Sequence, residues 1–207
     1  MDTFQQHILK KLRNYLSENG DLKKLKNIDN ELYQDTINRF NSIENVVDKI
    51  LKEERDGFQD IFEKYNFNGM NAIDILLIVS QKINKRFYKI NPFISARLQN
   101  QFPDIYNKHI NERMDFVYEK IQINITKGIS QGIYRSDISI EMIARMYITR
   151  LQDLHQTEMF NPDTSNFVTV FNTLINDFIM GIAKEEGIKY YKQRKQFFSI
   201  LSFGQDN

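Results

Sequence analysis

The order of apolar and polar positions along this chain spells helix almost throughout. Phe4, Ile8, Leu9, Leu12, Tyr15 and Leu16 recur at the i, i+4, i+7/i+8 spacing of a helix with one buried face over residues 4–18, and Asn19-Gly20 ends it. Leu22, Leu25 and Ile28 form a second, shorter stripe, after which Asp29-Asn30 tolerates a tight turn. A third helix follows with Leu32, Tyr33, Thr36, Ile37 and Phe40 as its apolar side. Ser42 is the expected N-cap of a fourth, striped by Ile43, Val46, Val47, Ile50 and Leu51. Gly57 and Gly69 bracket an aromatic stretch of Phe58, Phe62, Tyr65 and Phe67. From Ala72 to Phe87 the chain is apolar nearly all round in its first half, as a helix in the middle of a bundle would be. Asn91-Pro92 breaks it, a short helix over 94–101 follows, and Pro103 starts the next, striped by Ile110, Met114, Val117, Ile121, Ile125 and Ile129.

Gly132 closes that helix, because glycine enters the left-handed region without a Cβ penalty. Asp137 or Ser139 then caps a helix whose one face is Ile140, Ile143, Ala144, Tyr147, Leu151 and Leu154, and whose other face carries Met142, Met146 and Thr149. Asn161-Pro162-Asp163 makes a turn, and Asp163, Thr164 or Ser165 caps the next helix. This helix is apolar on two sides, Phe167, Phe171, Leu174, Phe178 and Ile182 on one and Val168, Ile175 and Ile179 on the other. One side serves the core, and the surplus side asks for something to bury it. The tail from Gly187 to Leu201 is amphipathic, with Lys189, Lys192, Arg194 and Lys195 outward on a face that is either solvated or attracted to an anionic surface.

Composition sharpens this picture. Only 8 Gly and 3 Pro in 207 residues leave few helix breaks, so the expected fold class is all-α. The absence of Cys excludes disulfides and thiolate metal sites and suits a reducing, cytoplasmic setting. No signal peptide is visible, and the longest aliphatic run, Ile75 to Val79, is far too short to span a bilayer, so no membrane partner is expected. A net charge of +1 gives no overall attraction to nucleic acid, and any DNA contact must come from a local patch.

Two segments carry a family resemblance. Asp35-Thr36-Ile37-Asn38-Arg39-Phe40 followed by Ser42-Ile43-Glu44-Asn45-Val46-Val47 resembles the end of the recognition helix and the start of the connecting helix of TetR-family transcriptional regulators. Gly132-Ile133-Tyr134-Arg135-Ser136-Asp137 resembles the corner between their seventh and eighth helices. Phe40, Ser42 and Glu44 match the pattern, while Ile43 stands where the family has a phosphate-contacting lysine and Ile37 where it has a tyrosine. The resemblance implies an N-terminal three-helix helix-turn-helix domain, 1–50, and a C-terminal TetR-like bundle, 51–207, for ligand binding and dimerisation. It implies a ligand-responsive repressor that binds operator DNA as a homodimer. The alternative is a TetR-like dimer that has lost DNA binding and acts as a ligand-binding or protein-interaction module.

Residues 1–55 carry equal numbers of basic and acidic side chains, and Glu31 and Asp35 on the presumed recognition helix would be repelled by phosphate. The DNA-binding candidates are Lys23, Lys24 and Lys26, which either hold a phosphate backbone or form a solvated face, with Gln34, Asn38 and Arg39 as base readers. For a small apolar ligand the candidate lining is Leu77, Ser80, Phe87, Tyr118, Ile121, Met142, Met146 and Thr149, the other reading of the same residues being an ordinary helical core. By the resemblance, the two-sided helix gives Phe171, Ile175 and Ile179 to a dimer interface. Catalytic chemistry has no convergent set. His7, His109 and His155 stand apart and read as partly exposed surface histidines, though the last two can meet in space, and neither a catalytic residue, a metal nor a cofactor is expected.

Overall fold

A computed structural model describes residues 3–18, 20–87, 92–153 and 167–203. Among these residues the regular structure is entirely helical: α1 (Thr3–Ser17), a 3₁₀ turn (Leu22–Lys24), α2 (Leu25–Ile28), α3 (Asn30–Phe40), α4 (Ile43–Glu63), α5 (Ala72–Phe87), α6 (Pro92–Gln101), α7 (Pro103–Ser130), α8 (Ile140–Asp153), α9 (Phe167–Ile182) and α10 (Glu185–Phe203). The expected turn at 161–163 and the caps at 163–165 lie outside the described residues.

The chain divides into two compact units, one of Met1–Asp60 with Ile90–Arg113, the other of Ile61–Lys89 with Met114–Asn207. The expected helix-turn-helix segment, 1–50, lies inside the first. Ile8, Leu9, Leu12 and Leu16 of α1 are buried with Leu22, Leu25, Leu32, Val46, Val47 and Leu51, and Leu98, Phe102 and Tyr106 close the same core. Gly20 follows α1 because a Cβ there would come within 2.4 Å of the Tyr15 ring, so only glycine lets the chain turn beneath it. The second stripe is tighter than its spacing suggested. Asp21 Oδ1 accepts from the Lys23 amide at 3.0 Å and holds a 3₁₀ turn, leaving α2 only four residues.

In the second unit α9 packs against α5, α8 and α10. Gly132 has φ +73° and ends α7 as expected, and the choice of cap for α8 falls on Ser139, whose Oγ accepts from the Met142 amide at 3.3 Å. The corner between them is pinned across the chain. Tyr134 pairs with Ala183 in an antiparallel bridge, the Arg135 amide donates to Ile182 O and the Lys184 amide donates to Ile133 O, both at 2.9 Å. The Tyr134 side chain is wholly buried, with its hydroxyl 3.2 Å from Asn124 Oδ1, and burial raises its pKa above the ordinary tyrosine value. Asn124 in turn donates to Ala72 O at 2.9 Å, tying the start of α5 to the same point.

Candidate nucleic-acid interface

The candidate interface centres on α3, which starts after the non-helical Asp29 and stops where Asn41 turns left-handed. Asp29 Oδ1 accepts from the Leu32 amide at 2.9 Å, satisfying one of the orphan donors of the first turn. At the other end Asn41 has φ +68° and its amide donates to Ile37 O at 2.8 Å. Asn is the non-glycine residue best suited to that conformation. Ser42 Oγ accepts from the Asn45 amide at 3.0 Å and caps α4 as its type and place predict. Asn45 Nδ2 donates to Phe40 O at 2.8 Å, covering the last carbonyl of α3.

Leu32 and Thr36 are buried on one side of α3, with the Thr36 hydroxyl donating to Leu32 O at 2.6 Å, and Tyr33, Ile37 and Phe40 pack beside them. Glu31, Gln34 and Asn38 fall on the opposite side at i, i+3 and i+7, all exposed, with Asp35 partly covered beside them and Arg39 exposed at the margin. Lys23, Lys24 and Lys26 are exposed on the turn and short helix that precede α3. Lys26 lies 5.9 Å from the centre of the Tyr33 ring and Lys23 5.6 Å from that of Phe102, which orders their stems while leaving the ammonium groups in water. Lys24 lies 3.6 Å from Asp21 in an exposed pair of small energetic consequence. Ile43, at the position where a lysine was expected from the resemblance, is buried in the core of this unit.

In the same unit, α4 and the first part of α7 share a charged cluster that the sequence did not reveal. His109, expected at the surface, is instead 2% exposed. Arg55 Nη1 lies 2.9 Å from His109 Nδ1, and since a guanidinium can only donate, Nδ1 accepts and the proton sits on Nε2. Burial first, then the Arg113 and Arg55 charges, push the histidine pKa down to about 3. Arg113 pairs with Glu54 at 3.0 Å and Arg55 with Glu112 at 3.1 Å, while Arg13 reaches Glu53 at 2.7 Å. His155, its imagined companion, lies outside the described residues.

The remaining candidates separate. Ser80 and Ile121 are buried and Leu77 and Tyr118 half-buried, whereas Met142 is 59% and Met146 49% exposed, and Thr149 is exposed with them on the outer side of α8. The side chain of Phe87 lies outside the described residues. Phe171, Ile175 and Ile179, expected at a dimer interface, are 3%, 5% and 0% exposed within the single chain, where α9 packs against α5, α8 and α10. Among the described residues there is no group of three or more His, Asp or Glu that could hold a metal ion, and no helix long and apolar enough to cross a membrane.

No family model matches the chain, and no curated protein sequence matches it. A solved structure does. The ketosteroid transcriptional regulator KstR2 of Mycobacterium tuberculosis superposes with a TM-score of 0.60 at 16% identity, over 89% of this chain and 97% of that one. The chain has the TetR-regulator fold. At that identity the likeness speaks for the helix order and packing. Within this fold, the TetR-like corner at 132–137 is the junction of α7 and α8, as its resemblance implied.

Proposed function

We propose that this protein is a TetR-like DNA-binding transcriptional regulator, a repressor whose affinity for operator DNA responds to a small apolar ligand. The observation that carries the reading is the α2–α3 turn. It presents a capped helix with an outward row of hydrogen-bonding side chains and three exposed lysines ahead of it, in a chain with the fold of a transcriptional regulator. We place the ligand-binding part, expected over 51–207, in the second unit, with Leu77, Ser80, Tyr118 and Ile121 as its lining. Self-association as a homodimer fits the exposed Met142 and Met146 on α8 better than the buried side chains of α9. A cytoplasmic setting follows from that role. The charge balance of residues 1–55, with Glu31 exposed on α3, favours a second reading in which a dimeric ligand-binding or protein-interaction module has lost DNA binding.

Titration of genomic fragments against the full chain at graded salt separates the two. A regulator built on a handful of lysines and Arg39 gives a salt slope of only a few units, since each phosphate contact contributes about one. Asp35→Thr strengthens the shift and Arg39→Ala weakens it. No shift at any salt leaves the second reading standing.

A further inference from the structure

Resting on that reading, we infer that the outward face of α3 selects adenine, through its N7 and N6 edge, and cytosine, through its N4 amino group, in the major groove, and not guanine. Asp29 is held by the Leu32 amide and Thr36 by Leu32 O, so neither is available to a base. What stands at the centre of the exposed face is Glu31, Gln34 and Asn38, two carboxamides and one carboxylate at i, i+3 and i+7, with no cation among them. The cations are at its edges, Arg39 at the margin and the lysines at 23, 24 and 26 on the preceding turn.

That distribution complements a duplex groove, whose rims are phosphate and whose floor is base edges. Guanine shows only acceptors there, N7 and O6, and is read by the paired donors of Arg or Lys. Adenine shows an acceptor and a donor, N7 and N6, which match the amide N–H and carbonyl of Asn or Gln. Cytosine shows a donor, N4, which a carboxylate accepts. A carboxylate on that face is then an asset at a cytosine and a liability over phosphate, which the edge lysines offset. Asn38 and Gln34 are the adenine readers and Glu31 the cytosine reader.

The test is selection of duplexes from a randomised pool by the full chain at low salt, with Asn38→Ala and Gln34→Ala beside the wild type, all three checked for unchanged thermal unfolding since both positions are exposed. The selected half-site is expected to contain A·T pairs whose preference falls about ten-fold in Asn38→Ala or Gln34→Ala without change in the salt slope. Replacing those adenines by 7-deazaadenine weakens wild-type binding to a similar degree, and replacing guanines by 7-deazaguanine leaves it unchanged. Sensitivity to 7-deazaguanine alone, or a base preference unaltered in both variants, overturns the inference while DNA binding stands. Retention of duplex without any sequence preference overturns it in the same way. Failure to retain duplex at any salt overturns the DNA-binding reading itself, and the inference with it.

Discussion

Acidification should weaken the first unit through His109. In the unfolded chain the imidazole takes up a proton near pH 6.5, whereas in the folded protein burial and the neighbouring Arg113 and Arg55 hold its pKa at about 3. Between those values the unfolded state binds a proton that the folded state does not, so stability is complete above about pH 6.5 and falls as the pH is lowered. The slope approaches about 1.4 kcal/mol per pH unit, which integrates to about 2 kcal/mol lost by pH 5. Other groups titrate in the same interval, so the measurement is a difference. Urea unfolding of wild type and His109→Gln is followed by far-UV circular dichroism at pH 7 and pH 5, at one protein concentration because association would shift both curves. Gln keeps a carbonyl oxygen able to accept from Arg55 and does not titrate. The stability gap between the two proteins should move by about 2 kcal/mol in favour of the variant on going to pH 5. A gap that stays constant would mean that His109 takes up its proton equally well in the folded chain, and that its cluster with Arg55 and Arg113 opens to admit it.

Two further outcomes follow from packing. A Cβ at Gly128 would stand 2.0 Å from the Tyr134 ring, so Gly128→Ala should cost about 1–3 kcal/mol, read as a drop in thermal midpoint; an unchanged midpoint would show that the tyrosine has room to move. Ile175→Glu puts a carboxylate into the core of the second unit and should leave aggregated or unfolded protein, whereas Met142→Lys with Met146→Lys should give folded monomer in light scattering; the reverse assignment would return the dimer interface to α9.

Local chemistry made much of the fold readable before any coordinates. Ser42 and Gly132 act on the residues beside them in sequence, so their roles at helix ends follow from residue type and spacing, whereas Asp29, expected in a turn, also caps α3. The outward placement of Gln34 and Asn38 was readable for the same reason, since Leu32 and Thr36 fix the buried side of α3. What could not be read were matters of partnership. The periodicity of α9 shows that two sides are apolar, but not that the same chain covers both. His109 looks like a surface residue until Arg55 and Glu54, more than fifty positions earlier, are brought beside it. Tyr134 is visible in the corner motif, but its burial against Gly128 and Asn124 depends on partners that the motif does not name.

The bridge between Tyr134 and Ala183 also bears on the order in which the protein can form. The corner after α7 has its glycine, its serine cap and the bonds back to Gly128 within a few residues, yet the Arg135 amide and Ile133 O wait for Ile182 and Lys184. A chain emerging from the ribosome therefore carries this corner unfinished until α9 has been made in full. Tyr134 stays without its final cover during that interval, and the last two helices act as the closing step of a turn written some fifty residues earlier, a non-local closure of the kind that slows folding relative to the helices it joins.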